Sequence, residues 1–151
     1  MPNEIESLRK LLTTERAALR LYEEVAEATR LRALEACRRS HEHRAVFLSG
    51  QLRRLGAELD SEPPAAALYG LGLTSIPTER LVLYAALLNA ERQGVGLYAD
   101  LCPESALEES VLRQMRLEQA RTVKVLQGTL ARARTEPRPL RIALNRRAAH
   151  V

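Results

Sequence analysis

Tryptophan is absent from this 151-residue chain, phenylalanine occurs once and methionine twice. With so few rings on which bases can stack, single-stranded nucleic acid is a poor match as a ligand. Cysteine occurs only at positions 37 and 102, too sparse and too far apart for a disulfide framework or a CxxC metal site. Isolated thiols among apolar residues fit a reducing interior. There is no membrane-length apolar run and no signal-peptide pattern, so the expectation is a cytoplasmic protein without a membrane partner. Lysine is scarce too: of 23 basic residues only Lys10 and Lys124 are not arginine. A coding bias toward arginine explains this better than nucleic-acid binding does.

The chain is instead rich in Leu and Ala, with 46% hydrophobic residues overall, a composition suited to packed helices. At this length a single domain buries roughly 68–70% of the surface its unfolded chain exposes, so one continuous core suffices. The net charge of +4 is uneven, because residues 132 to 151 hold six Arg and one Glu and leave residues 1 to 131 at −1. A near-neutral body therefore carries a basic tail.

An internal repeat organises the body. Leu11-Leu12-Thr13-Thr14-Glu15-Arg16, running on to Leu21-Tyr22, returns 76 positions later as Leu87-Leu88-Asn89-Ala90-Glu91-Arg92, running on to Leu97-Tyr98. Six of these twelve positions are identical. The heptad-like row Ile5, Leu8, Leu12, Glu15, Leu19, Tyr22, Ala26 matches Leu81, Tyr84, Leu88, Glu91, Val95, Tyr98, Cys102 step for step, so each half aims one Glu into its own core. A shift of 78 pairs Leu34 with Leu112, Cys37 with Met115, Leu48 with Leu126 and Leu52 with Leu130. Both hairpins of the duplication are thus visible.

The pattern predicts four helices. The first runs from about Asn3 to Ala28, with Asn3 as its N-cap. The second follows a short break at Thr29-Arg30 and ends at Leu55-Gly56 with a left-handed Gly cap. A long crossover through Pro63-Pro64 and Tyr69-Gly70-Leu71-Gly72 is expected to pack through Leu68, Tyr69, Leu71 and Leu73. The third helix is expected to open between Thr74 and Thr78, with Pro77 in its first turn, and to close at Cys102-Pro103. The fourth then starts near Ser105 and fades around Ala133. The expected architecture is all-α: an antiparallel four-helix bundle of two repeated hairpins over residues 1–133, with a Pro/Arg-rich tail over 134–151.

A core Glu followed seven residues later by Tyr, on the first and third helices of such a bundle, resembles the ferritin, bacterioferritin and rubrerythrin superfamily. That resemblance implies two further Glu-x-x-His motifs, on the second and fourth helices, completing a site for two iron or manganese ions. Counting back from Leu48 and Leu52 puts His41 in the Glu seat and Arg44 in the His seat, and Gln119 and Thr122 fall in the corresponding seats of the fourth helix. Neighbouring registers give Glu42 with Ala45, or Glu118 with Arg121, and none restores the motif. A normal di-iron centre is therefore not expected. If any metal binds, the available ligands are Glu15, Glu91, His41, Glu42 and Glu118, the last two across a subunit interface.

A buried carboxylate needs a cation, hydrogen bonds or a proton. The expected core network is Glu15, Glu91, Arg44, His41, Gln119, Tyr22 and Tyr98, with Arg44 supplying the charge a metal supplies in the family. His43 points away from the core row, and Cys37 and Cys102 read as small buried hydrophobes. Leu21, Leu117 and Val123 fall off the core rows and read as a partner surface.

In the tail, Pro137 and Pro139 precede Leu140, Ile142 and Leu144, a short aliphatic triplet bounded by arginines. It resembles the cargo-loading peptides that tether ferritin-like proteins inside encapsulin shells, which implies docking through Leu140, Ile142 and Leu144. Two functions follow from these resemblances. One is a degenerate, non-catalytic ferritin-like module that acts by protein association, as a homo-oligomer or encapsulated cargo. The other is an iron- or manganese-binding oxidoreductase. Nucleic-acid binding through the arginine tail, as in some Dps-like proteins, ranks below both.

Overall fold

The computed structural model describes residues 4–59, 76–101 and 109–135. Four helices account for nearly all of them: α1 (Glu4–Thr29), α2 (Arg32–Arg54), α3 (Arg80–Leu101) and α4 (Glu109–Thr135). No strand occurs among the described residues. Helix α1 packs most extensively on α2, and α3 on α4, while α2 meets α4 and α1 meets α3. The result is a four-helix bundle in which each helix touches two others.

Local chemistry sets the helix ends. Arg30 adopts a left-handed backbone (φ 54°) with its N–H bonded to the Ala26 carbonyl, and the Thr29 hydroxyl donates to the Val25 carbonyl, so α1 ends there and α2 begins at Arg32. At the end of α2, Gly56 takes φ 71°. Its N–H donates to the Arg53 carbonyl and the Ala57 N–H to the Leu52 carbonyl, the paired bonds of a Schellman cap. The expected break and the glycine cap are both present. Helix α3 begins later than expected: its first carbonyl acceptor is Glu79, bonded by the Leu83 N–H, so Pro77 precedes the helix instead of sitting in its first turn. Asn3, the crossover residues 60–75, the segment 102–108 with Cys102 and Ser105, and the tail from 136 onward lie outside the described residues.

The apolar core is divided in two. One cluster joins Leu21, Tyr22, Val25, Leu34, Cys37, Leu83, Tyr84, Leu87, Leu126 and Leu130; the other joins Leu8, Leu11, Leu12, Leu48, Leu52, Tyr98 and Met115. Two features of the expected rows need correction. Leu21 is buried in the first cluster, not on a partner surface, whereas Val95, expected in the core row, is 40% exposed. A helix with two neighbours must bury a wide stripe, and a strict 3.5-residue row drifts off that stripe. Leu117 is exposed and Val123 half-buried. No helix among the described residues is long and apolar enough to cross a membrane.

Candidate functional site

Between the two apolar clusters lies a layer of buried polar groups, to which every helix contributes. Helix α1 gives Glu15 (2% exposed), α3 gives Glu91 (3%), α2 gives His41 and Arg44 (1% each), and α4 gives Gln119 and Thr122. These are the positions that the repeat and the Leu48/Leu52 register single out.

His41 holds the centre. Its Nδ1 lies 2.6 Å from Glu15 Oε2 and its Nε2 lies 2.6 Å from Glu91 Oε1, so one ring spans the two carboxylates. Contacts this short are those of charge-assisted bonds. The Arg44 Nε donates to Glu15 Oε1 at 2.8 Å, and its Nη1 donates to the Ser40 hydroxyl at 2.6 Å. The tyrosines close the layer reciprocally: Tyr22 donates to Glu91 Oε1 (2.9 Å) and Tyr98 to Glu15 Oε1 (2.7 Å). Tyr22 also stacks on the His41 ring, with centroids 5.0 Å apart.

Electrostatics fixes the protonation of the layer. Burial alone would push the Glu15 carboxyl upward, but the charges of His41 and Arg44 and their hydrogen bonds outweigh it and bring it down to about 2. Burial likewise disfavours a charged His41, yet Glu15 and Glu91 raise the ring to about 9. His41 is thus an imidazolium at neutral pH, with both nitrogens donating. Arg44 Nη2, 3.1 Å from His41 Nδ1, then faces another donor, an approach offset by Glu15, which accepts from both cations. Glu15 and Glu91 thus face two cations, His41 and Arg44, with Glu118 approaching Arg44 at the edge of the layer.

Sequence reasoning gave Arg44 the leading part, whereas the structure gives it to His41, with Arg44 as second cation. Gln119 is buried as expected, but its Oε1 has no hydrogen-bond partner and so takes no part in the network's bonding. Ser40 went unnoticed in the sequence; its signal was a hydroxyl four residues before a buried arginine on one helix face.

Of the remaining metal candidates, Glu42 points away from the layer and Glu118 reaches its edge. Glu42 is exposed and paired with Arg38 at 3.1 Å. Glu118 is half-buried, bonded to exposed His43 at 2.9 Å, and its Oε2 stands 3.9 Å from Arg44 Nη1. Leu140, Ile142 and Leu144 lie outside the described residues.

The layer does not suit a di-metal centre, which needs about four carboxylates and two imidazoles. Both His41 nitrogens already face carboxylate oxygens, and a guanidinium occupies the next seat. Among the described residues no group of three or more His, Cys, Asp or Glu is placed to hold a metal ion. Nor is there an activated nucleophile at Cys37, because burial, with Glu91 adding to it, pushes its thiol up to about 12. The arrangement can hold charge, orient four helices and fix their register. Comparison of the chain with family models, with curated proteins and with solved structures returned no match.

Proposed function

We propose that this protein is a ferritin-like bundle whose metal centre has been replaced by an internal ion network, and that it acts by protein association and not by redox catalysis. The observation that carries the reading is the His41 imidazolium bridging Glu15 and Glu91 where the family's metals would sit. The reciprocal Tyr22–Glu91 and Tyr98–Glu15 bonds support an antiparallel α1 and α3 and a two-fold relation between the hairpins. The division of repeat partners between the two clusters supports it further: Leu12 and Leu88, Tyr22 and Tyr98, Cys37 and Met115, and Leu48 and Leu126 each fall one on either side of the polar layer. A bundle related by such an axis would place each member of a repeated pair at opposite ends.

In this reading the layer does for the fold what bound metal does in the family. It neutralises two buried carboxylates and locks the register of four helices, without oxygen chemistry. The partners are further copies of the chain and, through the tail's resemblance to cargo peptides, an encapsulin shell. The test is iron loading. Purified protein given Fe(II) should hold less than one iron per chain and oxidise it no faster than buffer. The combined substitution His41→Glu, Arg44→His, Gln119→Glu and Thr122→His should gain stoichiometric iron. Two irons per chain with rapid oxidation in the natural sequence would overturn the reading in favour of an iron- or manganese-dependent oxidoreductase.

A further inference from the structure

A second polar feature lies away from the ion network, among α2, α3 and α4. Leu31, Ala33, Arg80, Tyr84, Thr129, Arg132 and Ala133 line a cavity of about 210 Å³ that opens to solvent. The polar side chains in its wall are two arginines, a tyrosine and a threonine, with no carboxylate among them.

The hydrogen bonding of this wall is one-sided. Arg80 Nε donates to the Tyr84 hydroxyl at 2.9 Å, and its guanidinium carbon lies 5.7 Å from the Tyr84 ring centroid. The hydroxyl is thereby used as an acceptor, while its own proton has no acceptor among the described residues. Tyr84 lines the cavity, so a group seated there is what that proton can reach. The Thr129 hydroxyl donates to the Val125 carbonyl at 2.8 Å. Arg132 makes no ion pair among the described residues. Helix α2 starts beside the cavity, at Leu31, without a side-chain cap, adding the positive end of its dipole. Tyr84 and the exposed Arg132 thus keep uncommitted donors, and no carboxylate lines the wall.

Packing does not account for the tyrosine. Its repeat partner Leu8 is buried just as deeply with no polar atom, so the hydroxyl of Tyr84 is an addition that costs free energy unless something accepts its proton. We infer that this cavity is an anion site that takes a phosphate group. Its oxygens would accept from the Tyr84 hydroxyl and the Arg132 guanidinium, with Arg80 held in place by Tyr84. The volume suits a phosphate group and the cavity opens to solvent, so the ligand is free phosphate or the phosphate end of a monoester.

Calorimetric titration of the full chain with inorganic phosphate, at constant ionic strength set by sodium chloride, tests this. Saturable binding at one site is expected. Tyr84→Phe, which keeps the ring and removes only the hydroxyl, should lower the association constant about tenfold, the scale of one hydrogen bond to a charged group. Arg132→Gln should lower it at least as much. A parallel titration with glycerol 3-phosphate separates the two sources: tighter binding than inorganic phosphate assigns a monoester, and weaker binding assigns the free anion. Absence of saturable heat with both ligands, or equal affinity in the natural chain and both variants, would overturn the assignment.

Discussion

Replacing Arg44 with methionine removes a buried positive charge while keeping most of the apolar stem. Arg44 supplies one of the two cations facing Glu15 and donates to its Oε1 at 2.8 Å, with the side chain almost wholly buried. After the change Glu15 Oε1 keeps only the Tyr98 bond, Ser40 loses its donor, and the layer holds two carboxylates against one imidazolium. Breaking a buried ion pair costs about 3–5 kcal/mol. Because His41 still faces Glu15, the lower end, about 3 kcal/mol, is expected. Urea unfolding followed by helical circular dichroism at pH 6 measures it. Glu15→Gln added to Arg44→Met restores the charge balance, so the double variant should be at least about 1 kcal/mol more stable than Arg44→Met alone, a coupling typical of residues in one network. A loss below about 1 kcal/mol for Arg44→Met, the scale of an exposed pair, would refute the reasoning, as would additive effects of the two changes.

Two further outcomes follow from the structure. The folded His41 ring titrates near 9 against 6.5 unfolded, so its contribution is complete below about pH 6.5, falls as pH rises toward 9 and is lost above it. Glu15, brought from 4.5 to about 2, contributes fully above about pH 4.5 and loses its contribution as pH falls toward 2. These shifts view one interaction from its two ends, so urea melts should show a plateau between about pH 4.5 and 6.5 and a loss of about 3 kcal/mol by pH 9, absent in His41→Gln. A stability unchanged from pH 6 to 10 would contradict this. In the backbone, Gly50→Ala within α2 meets open space and should stabilise by about 0.5–1 kcal/mol, whereas Gly56→Ala at φ 71° should destabilise by about 1 kcal/mol. Thermal melts of the two variants moving in the same direction would count against the helix-end assignment.

The sequence made the polar layer unusually legible because Glu15 and Glu91 stand in one recurring motif, each with a Tyr seven residues on. The Leu48 and Leu52 spacing then located His41 and Arg44 on the facing helix, where both are buried. What stayed hidden depends on direction and not on periodicity. Nothing in the order of residues says that a single imidazole reaches both carboxylates, since that needs the separation of three helices. The heptad row misplaced Leu21 and Val95 because α1 and α3 each face two neighbours, so their buried stripe is wider than one row. The start of α3 was misjudged because proline suits either the first turn or the extended segment before it, and only the Leu83–Glu79 bond distinguishes them. Tyr84 was placed in a core row, but its unspent hydroxyl proton became visible only with its neighbours in place.

On the proposed reading a protein-borne cation, the His41 imidazolium, stands between Glu15 and Glu91 in place of bound metal. Nitrogen-15 spectra of the imidazole rings, in protein stripped with chelator and with His41 identified among the three histidines by its loss in His41→Gln, test this most directly. The account predicts that both His41 ring nitrogens stay protonated at pH 7.5, that the ring titrates near 9, and that added Fe(II) leaves its signals unchanged. A neutral ring with one bare nitrogen at pH 7.5, or His41 signals that shift on adding iron, would contradict it.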